Sequence, residues 1–464
     1  MKLSQKSLLT LLLYCWLSGS QANRIYIHPF TLFAGSVVDQ CLPMDDMALK
    51  PVQPIPVAPL DIDILTPDDR DIAQQPAQKP NVTDGMLVLI QPLNMVSLRM
   101  YKGLSKRQRN TNTLFSPLGA YGSLATLSMG ASMRTTNFFQ LFLSVTSGTD
   151  QEDCVFLVDG HRIIMNMQKI NSLFNDELKN EITTRVWNFI RHDALLSKDY
   201  YEGIQEFCDS SFVRGVDFSK PEEAEELVRK FLGKTSDGKV KSSFKDLKSN
   251  TDLLFLSSVN FKGNWQTAFR PEKTFLQEFY VDETTTVMAP LMTRTGRYEY
   301  LIDQTRKCTV VKLHLSTLSY LMLVLPHERS KLRTIESRLL TDIISSWQRS
   351  FHEGLLELSV PKFSMSSVTD LREALMAVNP EIEEKLLGLD ADFTRMSNIN
   401  PFTINKVFNE VTFEISGEPG EETEETEETG TPLKLTINRP FFFAVIERNT
   451  NAYLMLGKIT NPTL

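Results

Sequence analysis

RPFFFAVIERNTNAYLMLGKITNP, residues Arg439 to Pro462, holds two apolar runs, Pro440 to Ile446 and Ala452 to Ile459, separated by the polar stretch ERNTNA. Both runs are short, rich in aromatic and aliphatic residues, and joined by turn-forming residues, which predicts a β-hairpin. An antiparallel pair therefore closes the chain. Working upstream, LLELSVPKF (Leu355 to Phe363), YLMLVLP (Tyr320 to Pro326) and LLFLSSVNF (Leu253 to Phe261) read as further strands. Near the front of this body the pattern changes. Phe115-Ser116-Pro117-Leu118 followed by AYGSLATLSMGA predicts a helix with a small-residue face, started by a Ser cap and a first-turn proline. The fold class is α+β.

The stretches NTLFSPLGAYGSLATLSMGA, KTSDGKV (Lys234 to Val240), SSVNFKGNWQTAF (Ser257 to Phe269), LELSVPKF, ADFTRMS (Ala391 to Ser397) and the terminal segment occur in this order along residues 86 to 464. In order and spacing they resemble the signature segments of serpins. The resemblance implies one large domain with three β-sheets, eight to nine helices and an exposed reactive-centre loop, here about residues 416 to 434. It replaces the three domains that length alone suggests at roughly 150 residues each.

Ahead of this domain lies an extended arm. Lys2 and Lys6, an apolar run from Leu8 to Leu17, and the small-x-small triplet Ser20-Gln21-Ala22 form a signal peptide over residues 1 to 22. Cleavage after Ala22 would make Asn23 the N-terminus of a secreted, extracellular chain. No later stretch approaches ~20 uninterrupted apolar residues, which argues against a membrane span. The net charge of −8 argues against a nucleic-acid partner. Residues 33 to 85 are proline-rich; Pro43, Pro51, Pro54, Pro56, Pro59, Pro67, Pro76 and Pro80 predict a semi-extended spacer that holds the N-terminus away from the core. Cys41, Cys154, Cys208 and Cys308 follow the signal peptide and allow three full pairings. A Cys41 to Cys154 bridge, which also fits the family, would staple the arm to the body. Asn81-Val82-Thr83 is an N-glycosylation sequon, with Asn81 the acceptor.

Immediately behind the signal peptide stands NRIYIHPFTL, residues 23 to 32. Ile25 and Ile27 favour an extended backbone, and Leu32-Phe33 supplies the pair of large apolar groups that an aspartic protease prefers around a scissile bond. Residues 23 to 30 are similar to the vasoactive octapeptide carried by a non-inhibitory, hormone-precursor branch of the serpins. That resemblance implies cleavage by renin between Leu32 and Phe33. It further implies that angiotensin-converting enzyme then cuts between Phe30 and Thr31. Pro29 stops a second dipeptide removal, because the His28-Pro29 nitrogen carries no hydrogen. Arg24, Tyr26, His28, Pro29 and Phe30 are the candidate contacts with a G-protein-coupled angiotensin receptor. Relatives often have Asp where this chain has Asn23, and His where it has Thr31.

The loop does not suit protease trapping. Trapping requires the cleaved loop to enter a sheet as a new strand, yet seven glutamates lie between Gly417 and Gly430. Strand alternation sends either Glu422, Glu424 and Glu428 or Glu421, Glu425 and Glu427 inward, at a cost of roughly 10 kcal/mol. The alternative reading is a secreted inhibitory or hormone-carrying serpin. No HExxH, GxSxG, Walker or CxxC motif occurs, and the six histidines lack metal spacing. No catalytic residue, metal or cofactor is assigned, and the chain is read as a non-enzyme.

Overall fold

The computed structural model describes residues 42–43, 52–68, 82–145, 154–155, 160–173, 181–240, 244–267, 269–328, 330–416 and 430–464. Its strands are β1 (Leu42–Pro43), β2 (Pro54–Pro56), β3 (Thr113–Phe115), β4 (Cys154–Val155), β5 (Ile182–Arg191), β6 (Leu195–Ser197), β7 (Ser210–Val216), β8 (Leu253–Asn264) and β9 (Thr274–Tyr280). These are followed by β10 (Thr286–Asp303), β11 (Cys308–His314), β12 (Ser319–Pro326), β13 (His352–Pro361), β14 (Met365–Asp370), β15 (Ile404–Ser416), β16 (Leu433–Thr436), β17 (Phe441–Glu447) and β18 (Tyr453–Ile459). The helices are α1 (Asp84–Arg107), α2 (Pro117–Ser128), α3 (Met133–Phe142), α4 (Gly160–Ser172), α5 (Lys198–Phe207), α6 (Pro221–Thr235), α7 (Leu332–Arg338), α8 (Thr341–Ser350), α9 (Leu371–Val378) and α10 (Pro380–Leu386). Ten α-helices among the described residues exceed the eight to nine expected; α9 and α10 are two short helices back to back, divided at Asn379, which caps the second.

The terminal hairpin forms as the sequence predicts, with Phe441 opposite Ile459 and Ala444 opposite Leu456. Every residue of β17 and β18 is buried. Continuous apolar runs, instead of alternation, mark strands covered on both faces. The turn is fixed by Glu447, whose Oε2 accepts from the backbone N–H of Asn449 and Thr450 and from the Thr450 hydroxyl.

β17 and β18 belong to a nine-stranded layer ordered β16-β13-β10-β11-β12-β17-β18-β3, with β9 also paired to β10. The 18-residue β10 links the strands of this layer. Its first part pairs with β9 and its last five residues with β11. The third sheet is five-stranded, ordered β14-β15-β8-β5-β7.

Helix α2 explains how tightly these layers pack. Ser116 caps it by accepting from the Gly119 N–H at 3.1 Å, Pro117 opens it, and all twelve residues are buried. At Gly122 a Cβ would lie 2.0 Å from the Phe207 ring of α5, so only glycine lets the two helices approach.

Candidate functional site

The peptide and its processing points, Ala22, Asn23, Arg24, Tyr26, His28, Pro29, Phe30, Thr31, Leu32 and Phe33, lie outside the described residues, as do Cys41 and Asn81. The structure begins where the arm meets the body. β1 pairs antiparallel with β4, setting Leu42 opposite Val155 and Pro43 opposite Cys154. The backbone thus brings the residue after Cys41 beside the strand that contains Cys154. Thr83 of the sequon caps α1, accepting from the Met86 N–H, and Val82 is exposed.

Residues 52–68 depart from the spacer expected of them. They are docked on the body. β2 pairs with β6, and farther on Leu60 N–H donates to Gly215 O at 2.8 Å while Gly215 N–H donates to Ala58 O at 2.7 Å. Asp68 N–H donates to Ser211 O. This segment therefore runs along β7, the edge strand of the five-stranded sheet, and satisfies backbone groups that an edge leaves open. Prolines hold the backbone extended beforehand, which lowers the entropy lost on docking. Ile55 and Val57 pack against the main core and Leu60 against a second cluster around Trp187 and Phe231.

The strongest clasp is ionic. The Arg214 guanidinium on β7 pairs with the Asp68 carboxylate, and the side chains are 5% and 12% exposed. Arg214 also donates to Thr66 O at 2.9 Å and lies over the rings of Phe212 and Phe231. The Asp68 carboxylate accepts in addition from the Val213 N–H. Lys234 reaches back to Ile62 O at 2.9 Å. Sequence reading missed this clasp: Asp68 in TPDDR looks like a solvated turn, and its partner is 146 residues away.

At the other end of the molecule's chemistry stands the loop. Its glutamates lie outside the described residues, but both of its ends are placed. It leaves β15 at Ser416 and returns at Gly430, where φ is +148°, before β16 pairs parallel with β13. β15 itself pairs directly with β8, in parallel, from Lys406 opposite Leu254 to Ser416 opposite Asn264. The seam is filled. Asn409 Nδ2 donates to Ser257 Oγ at 2.9 Å, Ser123 of α2 donates to the same oxygen, and Thr412 donates to Asn260 Oδ1. Phe261 and Phe413 stack with centroids 5.6 Å apart. A strand entering between β8 and β15 would have to break the Asn409–Ser257 and Thr412–Asn260 bonds and the Phe261–Phe413 stack.

The remaining polar candidates are dispersed. Cys208 and Cys308 are buried; Cys208 Sγ donates to Ile204 O, and burial pushes the Cys308 thiol up to about 12. Among the described residues one group of metal-ligand type comes together, His161 with Asp199 and Glu202, their ligand atoms within 4.8 Å. No spacing pattern announces it, since His161 is on α4 and the carboxylates on α5. His161 Nδ1 is 2.8 Å from Glu206.

The family model of serpins (serine protease inhibitor) matches residues 91–462. The chain belongs to the serpin family. Among solved structures, this serpin superposes on the mouse protein-Z dependent protease inhibitor with a TM-score of 0.72 at 21% identity, covering 81% of this chain and 98% of that one, which speaks to the fold alone. Among curated proteins it is 26% identical to angiotensinogen of Bos taurus and 25% identical to angiotensinogen of Ovis aries, each over 97% of both chains. Such coverage requires most of the residues ahead of Gln91 to align as well, beyond the serpin domain.

Proposed function

We propose that the chain is a secreted hormone precursor, a serpin whose N-terminal arm carries an angiotensin-type vasoactive peptide acting in blood-pressure and fluid balance. The observation that carries this reading is the full-length likeness to two angiotensinogens, which extends through the arm where NRIYIHPFTL stands. In this reading signal cleavage after Ala22 exposes Asn23, renin cuts between Leu32 and Phe33, and angiotensin-converting enzyme removes Thr31-Leu32. The octapeptide Asn23 to Phe30 then engages its receptor through Arg24, Tyr26, His28 and Phe30. The planar donor fork of Arg24 and the terminal carboxylate created beside Phe30 give the peptide opposite charges at its two ends.

The body acts as a carrier of the arm and not as a protease trap or an enzyme. One feature supports this: the glutamates that insertion would bury uncompensated. A Cys41 to Cys154 bridge would add a covalent tie where β1 and β4 already pair, and a glycan at Asn81 would sit at the start of α1.

Mass spectrometry of the secreted protein after incubation with a matched renin tests the reading. Release of Asn23 to Leu32 is the expected result. An intact N-terminus together with a protease covalently attached near Gly430 would make the chain an inhibitor instead.

A further inference from the structure

Helices α4 and α5 come together where glycines leave room. Gly160 opens α4 and Gly203 lies inside α5, and both close on the same side chain, Met129. A Cβ would stand 2.8 Å from Met129 Cγ at the first position and 2.5 Å from its Sδ at the second. The start of α4 is thereby held beside α5, and the residue after Gly160 is His161. Its Nδ1 is 2.8 Å from Glu206 Oε2. One of its ring nitrogens and one carboxylate oxygen each of Asp199 and Glu202 lie within 4.8 Å of one another. All four side chains are half-buried.

Asp199, Glu202 and Glu206 stand at intervals of three and four residues, which puts them on one face of α5. Like charges at these spacings repel and weaken a helix. The helix dipole favours Asp199 in the first turn of α5 and disfavours Glu206 in the last. Lys198 relieves little of this: its Nζ is 3.5 Å from Glu202, and both side chains face water. Among the described residues no lysine or arginine lies within 4.0 Å of Asp199 or Glu206. Three carboxylates therefore gather around one imidazole with too little positive charge among them.

We propose that His161, Asp199 and Glu202 bind a divalent transition ion, for which zinc is the fitting member of the class. An imidazole with two carboxylates is a donor set that zinc accepts, whereas calcium and magnesium prefer oxygen alone. Glu206, held on Nδ1, fixes the ring and assigns Nε2 to the metal, so that it orients the ligand from behind. Zinc bonds of about 2.0–2.2 Å bring ligand atoms to roughly 3.3 Å from one another. Rotation of the half-buried carboxylates closes the distance while packing holds the two backbones. The neighbouring thiol, Cys208, is buried and donates to Ile204 O, so the site takes no sulfur ligand. Three protein ligands leave a fourth tetrahedral position for water. His161 follows closely on β4, which pairs with β1 where the arm meets the body. The ion thus ties to α5 the helix that continues from the arm's clip.

Calorimetric titration of the purified, chelator-treated full chain with zinc chloride near neutral pH, where these ligands are deprotonated, tests the site. One equivalent binds, and His161→Gln weakens it by roughly tenfold or more. The double variant Asp199→Asn, Glu202→Gln does the same. His28→Gln on the arm and His192→Gln beside Asp217 leave it unchanged. Cobalt(II) loaded in place of zinc gives visible d–d bands without the near-ultraviolet band of a thiolate ligand. Zinc raises the melting temperature of the wild type and not of the two site variants. Melting curves without metal confirm that both variants fold. No uptake of zinc, uptake that survives the loss of His161 or of both carboxylates, equal weakening in either control, or displacement by millimolar calcium or magnesium would overturn the assignment.

Discussion

Asp68 and Arg214 face each other in a nearly solvent-free ion pair, and through it the proline-rich arm becomes part of the five-stranded sheet's edge. The pair is completed by Thr66 O and the Val213 N–H, so every strong polar partner is local to the clasp. Removing one member of a buried pair strands the other charge, which costs about 3 kcal/mol or more. Asp68→Asn should therefore lower the free energy of unfolding by about that amount and expose residues 52–68 to limited proteolysis. Unchanged protection of the segment would show that the backbone bonds to β7 hold it without the pair.

The terminal strands were legible because both faces of β17 and β18 are covered, so the apolar runs are unbroken. Helix α2 was legible because its cap and first-turn proline are local signals. The docking of residues 52–68 was not: Pro54, Pro56, Pro59 and Pro67 mark an extended backbone equally well whether it is bound or free. What distinguishes the two cases is Arg214, remote in sequence. The length of β10 was also invisible, because strand signals do not show that one strand pairs with β9 at its start and with β11 at its end.

Pairing of β1 with β4 fixes the arm ten residues beyond the Leu32-Phe33 bond. A chain segment of that length reaches at most about 35 Å, so the clip confines where a protease meets its substrate. If Cys41 and Cys154 are bridged, that confinement is covalent. Cys154→Ser should then change the rate at which renin releases Asn23 to Leu32 from the folded protein, while leaving the rate on a free synthetic Asn23 to Val38 peptide untouched. Equal rates for wild type and variant protein would remove the bridge from the mechanism.

His314 gives the body a pH-dependent stability. Burial pushes its pKa below the usual imidazole value, helped by Lys312 and Arg448 and opposed by Glu299. Its Nδ1 is buried with no hydrogen-bond partner, while Nε2 is 3.1 Å from Glu299. The folded chain thus binds fewer protons at this site than the unfolded chain does. The stability it contributes is complete above the unfolded value of about 6.5 and is lost as pH falls from there towards the lower folded value. Denaturant titrations at roughly pH 7.5 and pH 5.5 should show less of this loss in His314→Gln than in wild type. The same loss in both proteins would place the pH dependence elsewhere.

The seam between β8 and β15 and the acidic loop make separable contributions to resistance against strand insertion. Opening the seam means breaking the Asn409–Ser257 bond and the Phe261–Phe413 stack, a loss that a well-paired new strand could recover. Burying three carboxylates without cations could not be recovered, because each would have to be desolvated or protonated. Cleavage between Gly417 and Leu433 should therefore leave the melting temperature of the natural protein within a few degrees of its uncut value. The same cut in a variant with Glu421, Glu422, Glu424, Glu425, Glu427 and Glu428 all changed to Ala should raise it by tens of degrees. A large gain in the natural protein would mean that the glutamates are accommodated. No gain in the variant would mean that the seam alone, held at its centre by Asn409 and Ser257, keeps the sheet at five strands.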